Sequence, residues 1–389
     1  MAHYYFDNAA TTPVSPSVVT AMTEILQNEF GNASSTHYFG RQAHHLLDQS
    51  RQILAESIHA AATDEIIFTS GGTESDNTAI LSTVRAYSDR GHHIITTAIE
   101  HPAVLQTMAY LEKHGYEVTY LPVDAQGLIS LADLKAALRP DTILVSVMMA
   151  NNEVGSIEPI AEIGRLLADH QAIFHTDAVQ AYGVLDIDVQ RLGVDFLSIS
   201  GHKLHGPKGV GFLYARNGVK FVPFMRGGEQ EHKRRAGTEN LPGIVGLAQA
   251  AQDLAGREKA NKRQQLLALK QEVIQVLTAQ GVDFAINGPD VDLAAPHVLN
   301  IWLKGVPTEL ALMNLDLRGF AVSGGSACTA GSLEPSHVLI ALFGEQAPQI
   351  RESLRLSFGS ENDLASAHEL GLAISAVAHD YLQKNAQTI

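Results

Sequence analysis

From about residue 64 to 215, short apolar runs rich in β-branched residues alternate with stretches of helical periodicity. The runs Ile66–Thr69, His93–Ala98, Val118–Leu121, Ile143–Met148, Ala172–His175, Phe196–Ile199 and Val210–Tyr214 predict seven strands. Glu74–Ser88, Ala103–His114, Leu131–Leu138 and Ile160–Asp169 between them predict amphipathic helices. This alternation predicts an α/β domain with a largely parallel sheet. A polar stretch rich in Ala, Leu, Gln and Lys, from about Gly246 to Gln280, predicts one long helix leaving that domain. Beyond residue 283 strand runs thin out to Val298–Leu303 and Leu354–Phe358, which suits a smaller α+β domain.

Ligands of such sheets sit beyond the carboxyl ends of the strands. Here five strand exits turn abruptly polar. They lead into Ser70-Gly71-Gly72-Thr73, Glu100-His101-Pro102, Asn151-Asn152-Glu153, His175-Thr176-Asp177 and Ser200-Gly201-His202-Lys203. One edge of one sheet thus gathers hydroxyl, imidazole, amide, carboxylate and ammonium groups, a diversity that ordinary polar loops do not require.

A strand, two glycines and a helix start at Ser70–Ser75 form an anion site, because glycine lets backbone N–H groups approach and a helix N-terminus favours negative charge. No dinucleotide fingerprint occurs. Gly201–Lys208 resembles a phosphate loop only superficially, since Pro207 stands where that motif needs Lys. Asp177 and Lys203, each at a strand end, suit pyridoxal 5′-phosphate: a lysine amine to link to it and a carboxylate to keep its pyridine nitrogen protonated. Alone, such a lysine reads as a surface charge; beside the anion site, His101 and Asn152 it reads as a cofactor residue.

Charge and cysteine content narrow the classes. Lys and Arg number 27 against 42 Asp and Glu, a net −15 that repels phosphate backbones and argues against nucleic-acid binding. No apolar run reaches the ~20 residues of a membrane span. The start of the chain shows no basic segment followed by an apolar one, so a cytoplasmic location is expected. The 18 histidines include no metal-ligand spacing, no metal is expected, and the pairs His44-His45 and His92-His93 read as surface residues. The single cysteine, Cys328, excludes an internal disulfide and a multi-cysteine zinc site.

Taken together the motifs resemble cysteine desulfurases, class V pyridoxal-phosphate enzymes of fold type I. The resemblance runs almost end to end. It is carried by Tyr5–Pro13, Gly31–His37, Ser70–Asn77, Glu100-His101-Pro102, Asn151–Gly155, His175–Gln180, Ser198–Gly209, Arg235–Glu239 and Ser323–Pro335. Ala33 departs from it, standing where such enzymes usually carry Pro. The resemblance implies a large cofactor-binding domain over residues 15–258, with a mostly parallel seven-stranded sheet. It implies a small domain formed by residues 1–14 and 259–389, carrying a cysteine loop at about 323–334.

It also implies roles. Lys203 is the Schiff-base lysine. Asp177 pairs with the pyridine nitrogen, Gln180 with the ring's phenolic oxygen, and His101 stacks on the ring and assists proton transfer. Thr73, Ser200 and His202, with the Gly72 backbone, hold the phosphate. Thr238 reaches the phosphate of a neighbouring subunit, which implies a homodimer, and the Lys233-Arg234-Arg235 run before it reads as a solvated loop. Asn152 and Arg355 bind the substrate carboxylate.

Cys328 lies in Ser323-Gly324-Gly325-Ser326-Ala327-Cys328-Thr329-Ala330-Gly331-Ser332, whose small residues offer no apolar face and predict an accessible loop. The implied reaction takes sulfur from L-cysteine, leaving L-alanine and a Cys328 persulfide for sulfur-acceptor proteins of iron–sulfur assembly or tRNA thiolation. The alternatives are a selenocysteine lyase, a class V aminotransferase that needs no cysteine, and a cofactor-binding scaffold without catalysis.

Overall fold

The computed structural model describes residues 3–325 and 335–386; Cys328 and most of its loop lie outside the described residues. Seven strands form one sheet: β1 (Ile66–Thr69), β2 (His93–Thr97), β3 (Glu117–Leu121), β4 (Thr142–Ser146), β5 (Ile173–Asp177), β6 (Phe196–Ser200) and β7 (Gly211–Ala215). Their order is β1-β7-β6-β5-β4-β2-β3. Only β7 runs antiparallel to its neighbours, and the other pairings are parallel. The expected strands are all present, with ends that differ by one or two residues.

The near-continuous apolar runs follow from burial on both faces. Six of the seven strands are wholly buried; the edge strand β3 is partly exposed. Side chains alternate between faces. Phe68, Ile95, Val145, Phe174, Leu197 and Phe212 enter one apolar cluster, while Ile67, Ile94, Leu144, Ile173, Phe196 and Leu213 enter the cluster on the other face.

A second sheet, antiparallel, has the order β10-β9-β8, formed by β8 (Phe284–Ile286), β9 (Val298–Leu303) and β10 (Ser353–Ser357). It packs with helices Arg257–Ala279 and Leu364–Ala386 around a separate apolar cluster that includes Phe6 from the start of the chain. Tyr4–Tyr5 pairs in parallel with Phe320–Ala321.

Two expectations are corrected. The polar stretch at 246–280 is not one helix. Leu241–Asp253 and Arg257–Ala279 are separate helices, broken at Gly256, whose φ of 58° and ψ of −128° suit glycine and not a helix. His93 is not a surface residue: it is 1% exposed at the start of β2. Its two ring nitrogens meet the hydroxyls of Thr142 (2.7 Å) and Thr119 (2.9 Å), which satisfies a buried imidazole.

Candidate active site

The carboxyl ends of the parallel strands open into a cleft of about 540 Å³. All five polar strand exits contribute to it: Ser70–Glu74, His101, Met148 with Asn152, Asp177 with Gln180, and Ser200 with His202 and Lys203. Arg355 from the second sheet and Ala9, Ala10 and Thr11 from the N-terminal segment complete the wall. Of the expected site residues, Gly72, Thr73, His101, Asn152, Asp177, Gln180, Ser200, His202, Lys203 and Arg355 all line this one cleft. Thr238 does not; in the single chain it is exposed. Cys328 lies outside the described residues.

At one end of the cleft, helix Gly72–Ala86 begins directly after β1. Its cap, Gly71, has φ 138°, a conformation that side-chain-bearing residues rarely adopt. A Cβ on Gly72 would lie 2.8 Å from a Val179 methyl, so glycine lets the helix N-terminus settle against the β5 exit. The free N–H groups of a helix start, with the nearby Ser200 and His202, make a cradle for an anion. His202 bonds Thr11 through Nδ1 at 3.1 Å; burial, then Lys203, Lys208 and His101, push it down to about 4, so it sits there neutral. Glu74 of the first turn accepts from Ser70 N at 2.7 Å and pairs with Arg235; against its burial, these bonds hold the carboxyl below its usual range. Arg235 and Arg234 are therefore half-buried and engaged, Arg234 with the Asp64 carbonyl, which corrects the solvated-loop reading for two of the three basic residues.

Toward the middle of the cleft, Asp177 ends β5 at 5% exposure and accepts one backbone bond, from Val179 N at 2.9 Å. Burial first, then the nearby Asp76, push its carboxyl up to about 7. His101 and, more weakly, His175 act on it in the opposite direction. His101 caps helix Pro102–Glu112, its Nδ1 accepting from Ala103 N at 3.1 Å. A ring nitrogen of His101 and carboxylate oxygens of Asp76 and Asp177 lie within 4.8 Å of one another. Lys203 Nζ donates to the carbonyls of Ala9 and Ala10.

On the second-sheet side, Arg355 is 1% exposed and pairs with Asp7 at 2.8 Å; it also donates to the Asn152 carbonyl at 3.2 Å. This places a buried guanidinium, a receptor for a carboxylate, at the wall of the cleft. Ser323 exchanges backbone bonds with Arg355, and Ser336 caps helix His337–Phe343 while donating to the buried Glu153 carboxylate. The described residues on both sides of the cysteine loop are thus anchored beside the residues that carry Arg355 and Asn152.

Asp7, Asp76 and the Ala9 carbonyl were not singled out from the sequence. Asp7 and Asp76 fall inside the quoted motifs, but their partners are fixed only by folding. A buried carboxylate, a lysine amine, an imidazole and an anion cradle in one cleft fit a flat ring with a cationic nitrogen and a phosphate tail.

Comparison with known proteins agrees. The aminotransferase class-V family model matches residues 4–370. The chain is 53% identical over 362 residues to the putative cysteine desulfurase IscS 1 of Bacillus subtilis, covering 93% of this chain and 95% of that protein. It is 49% identical to the cysteine desulfurase IscS of Methanosarcina thermophila, covering 92% and 87%. A solved NifS-like protein superposes with a TM-score of 0.89 at 33% identity, over 96% of this chain and 99% of that one. A structure described as SspA in complex with cysteine gives 0.79 at 37% identity, over 91% and 98%. The chain belongs to the aminotransferase class-V family, in its cysteine desulfurase branch.

Proposed function

We propose that this chain is a pyridoxal-phosphate-dependent cysteine desulfurase that removes sulfur from L-cysteine, releases L-alanine and carries the sulfur as a persulfide on Cys328. The observation that supports this reading best is the meeting in one cleft of Lys203, the buried Asp177 and the buried Arg355.

The helix start at Gly72 and Thr73, with Ser200 and His202, would hold the phosphate; Lys203 would link to the cofactor; Asp177, Gln180 and His101 would meet its ring. When bound, the cofactor serves as the electron sink for the substrate's α-carbon. Arg355 and the Asn152 side chain take the substrate carboxylate. Lys203 and His101 hold and move protons at the substrate's α-carbon and thiol. Cys328 thiolate attacks the substrate sulfur, a new S–S bond forms and the substrate C–S bond breaks. Its electron pair stays with the carbon, which then takes a proton. Cysteine and an enzyme thiol thus become alanine and an enzyme persulfide, with atoms and electrons balanced.

Further parts of the reading are a division into residues 15–258 and residues 1–14 with 259–389, supported by the separate apolar clusters, and a homodimer in which Thr238 serves the partner's site. Sulfur-acceptor proteins of iron–sulfur assembly or tRNA thiolation would receive the sulfur, in the cytoplasm. Among the described residues no helix is long and apolar enough to cross a membrane.

The test is turnover of L-cysteine with a reductant present. Wild type is expected to give alanine and sulfide in equal amounts, and Lys203→Ala neither. Amino transfer that depends on a keto acid, with no sulfide, would replace this reading with an aminotransferase. Exclusive use of selenocysteine would replace it with a lyase for that substrate.

A further inference from the structure

Gln180 reaches the cleft from the β5 exit, and its amide is held from two sides. Its Nε2 donates to the Ala9 carbonyl at 3.0 Å, and its Oε1 lies 2.9 Å from Nε2 of His297. His297 immediately precedes β9, in the second sheet, and its own carbonyl accepts from Phe358 N at 2.9 Å, so its backbone is fixed. Both side chains are buried, His297 at 8% and Gln180 at 7% exposure.

We propose that His297 is a positioning residue that fixes the Gln180 amide with its NH2 group toward the cleft, and so sets the strength of the hydrogen bond Gln180 gives to the cofactor's ring oxygen. The inference rests on the proposed cofactor reading.

The hydrogen-bond pattern admits one orientation. Gln180 Oε1 can only accept, so His297 Nε2 carries the proton. Among the described residues Nδ1 of His297 has no partner, which matches a ring nitrogen without a proton. A flipped amide would set its oxygen against the Ala9 carbonyl, two acceptors face to face. It would also move the imidazole proton to Nδ1, leaving a buried N–H unsatisfied. Burial, then Lys270, Lys262, Lys203 and Arg355, push the imidazole down to about 3, so His297 stays neutral and keeps this arrangement. One N–H of the Gln180 amide is taken by Ala9; the second is left for the cleft. A residue from the second sheet thereby acts on the cofactor through a residue of the first.

The test uses the cofactor-loaded enzyme and reads the pH midpoint of the bound cofactor's visible absorption change. A donor on the ring oxygen weakens that oxygen's hold on the proton it shares with the Lys203 nitrogen, so losing the donor raises the midpoint. His297→Phe is expected to raise it by roughly 0.5–1 pH unit, the worth of one hydrogen bond. Gln180→Leu should raise it at least as much, and adding His297→Phe to Gln180→Leu should move it no further. His297→Gln, which restores a donor, should return the midpoint toward wild type. An unchanged midpoint in His297→Phe, or an equal shift in the Gln180→Leu background, overturns the proposal. A wild-type protein that shows no visible band with pyridoxal phosphate overturns the cofactor reading beneath it.

Discussion

The turn before Thr238 is the place where one buried group holds back a strained backbone. Glu231, His232 and Lys233 all have positive φ, at 50°, 54° and 67°. Left-handed conformation costs side-chain-bearing residues roughly 1–2 kcal/mol each, so this turn stores roughly 3–6 kcal/mol. Against it stands the Glu231 carboxylate, whose side chain is 2% exposed. It takes both guanidinium arms of Arg51, at 2.7 and 2.8 Å, and Phe68 N at 3.0 Å. Rupture of a buried pair of this kind costs roughly 3–5 kcal/mol. The two quantities are close, so the latch is the term that decides. Glu231→Gln keeps the shape but removes the charge and turns one acceptor into a donor facing Arg51 or Phe68 N. The latched state should lose at least about 2 kcal/mol, which multiplies the open population about 30-fold. Lys233, Arg234 and Arg235 make the opening readable by trypsin, since cleavage of a fast-opening segment follows its open population. Peptide mass spectrometry of native digests should show cleavage at 233–235 accelerated about 30-fold in Glu231→Gln, with cleavage after exposed Arg41 unchanged. A rate within threefold of wild type refutes the latch.

Two predictions concern pH. Lys270 is fully buried, donating to the Ala295 carbonyl at 3.0 Å, and burial pushes its amine down to about 7. The unfolded chain therefore holds more protons between pH 7 and 10.5, and stability should rise with pH across that window. Urea midpoints at pH 7 and 9.5 should show this rise in wild type and a flatter line in Lys270→Met; parallel lines would contradict it. His205, bonded to the Pro13 carbonyl and Ser360, is pushed down to about 4 by burial and then by Lys262. Here stability is present above pH 6.5 and lost as pH falls toward 4, by up to about 3 kcal/mol. His205 has φ 62°, so His205→Asn, which tolerates that conformation, should lessen the acid loss; an unchanged acid slope would rule the residue out.

Much of the fold and cleft was legible because it depends on local pattern. Doubly buried strands must be apolar, and their exits become polar where the chain turns to the ligand edge. The helix break at Gly256 was not legible, since a polar helix with a weak apolar stripe offers no contrast where it stops. Neither was the burial of His93, whose partners Thr119 and Thr142 stand on neighbouring strands. The Asp7–Arg355, Arg51–Glu231 and Gln180–His297 contacts join residues 348, 180 and 117 positions apart, and only the folded topology brings them together. The proposed sulfur carrier, Cys328, could be named because the chain has a single cysteine.

That carrier is also the most direct point of test. The cofactor-loaded enzyme would be mixed with L-cysteine without reductant and its tryptic peptides weighed after thiol capture. The account predicts one extra sulfur atom on the Cys328 peptide, one alanine released for each sulfur gained, and neither product from Cys328→Ala. Alanine and sulfide formed by Cys328→Ala at the wild-type rate would contradict it.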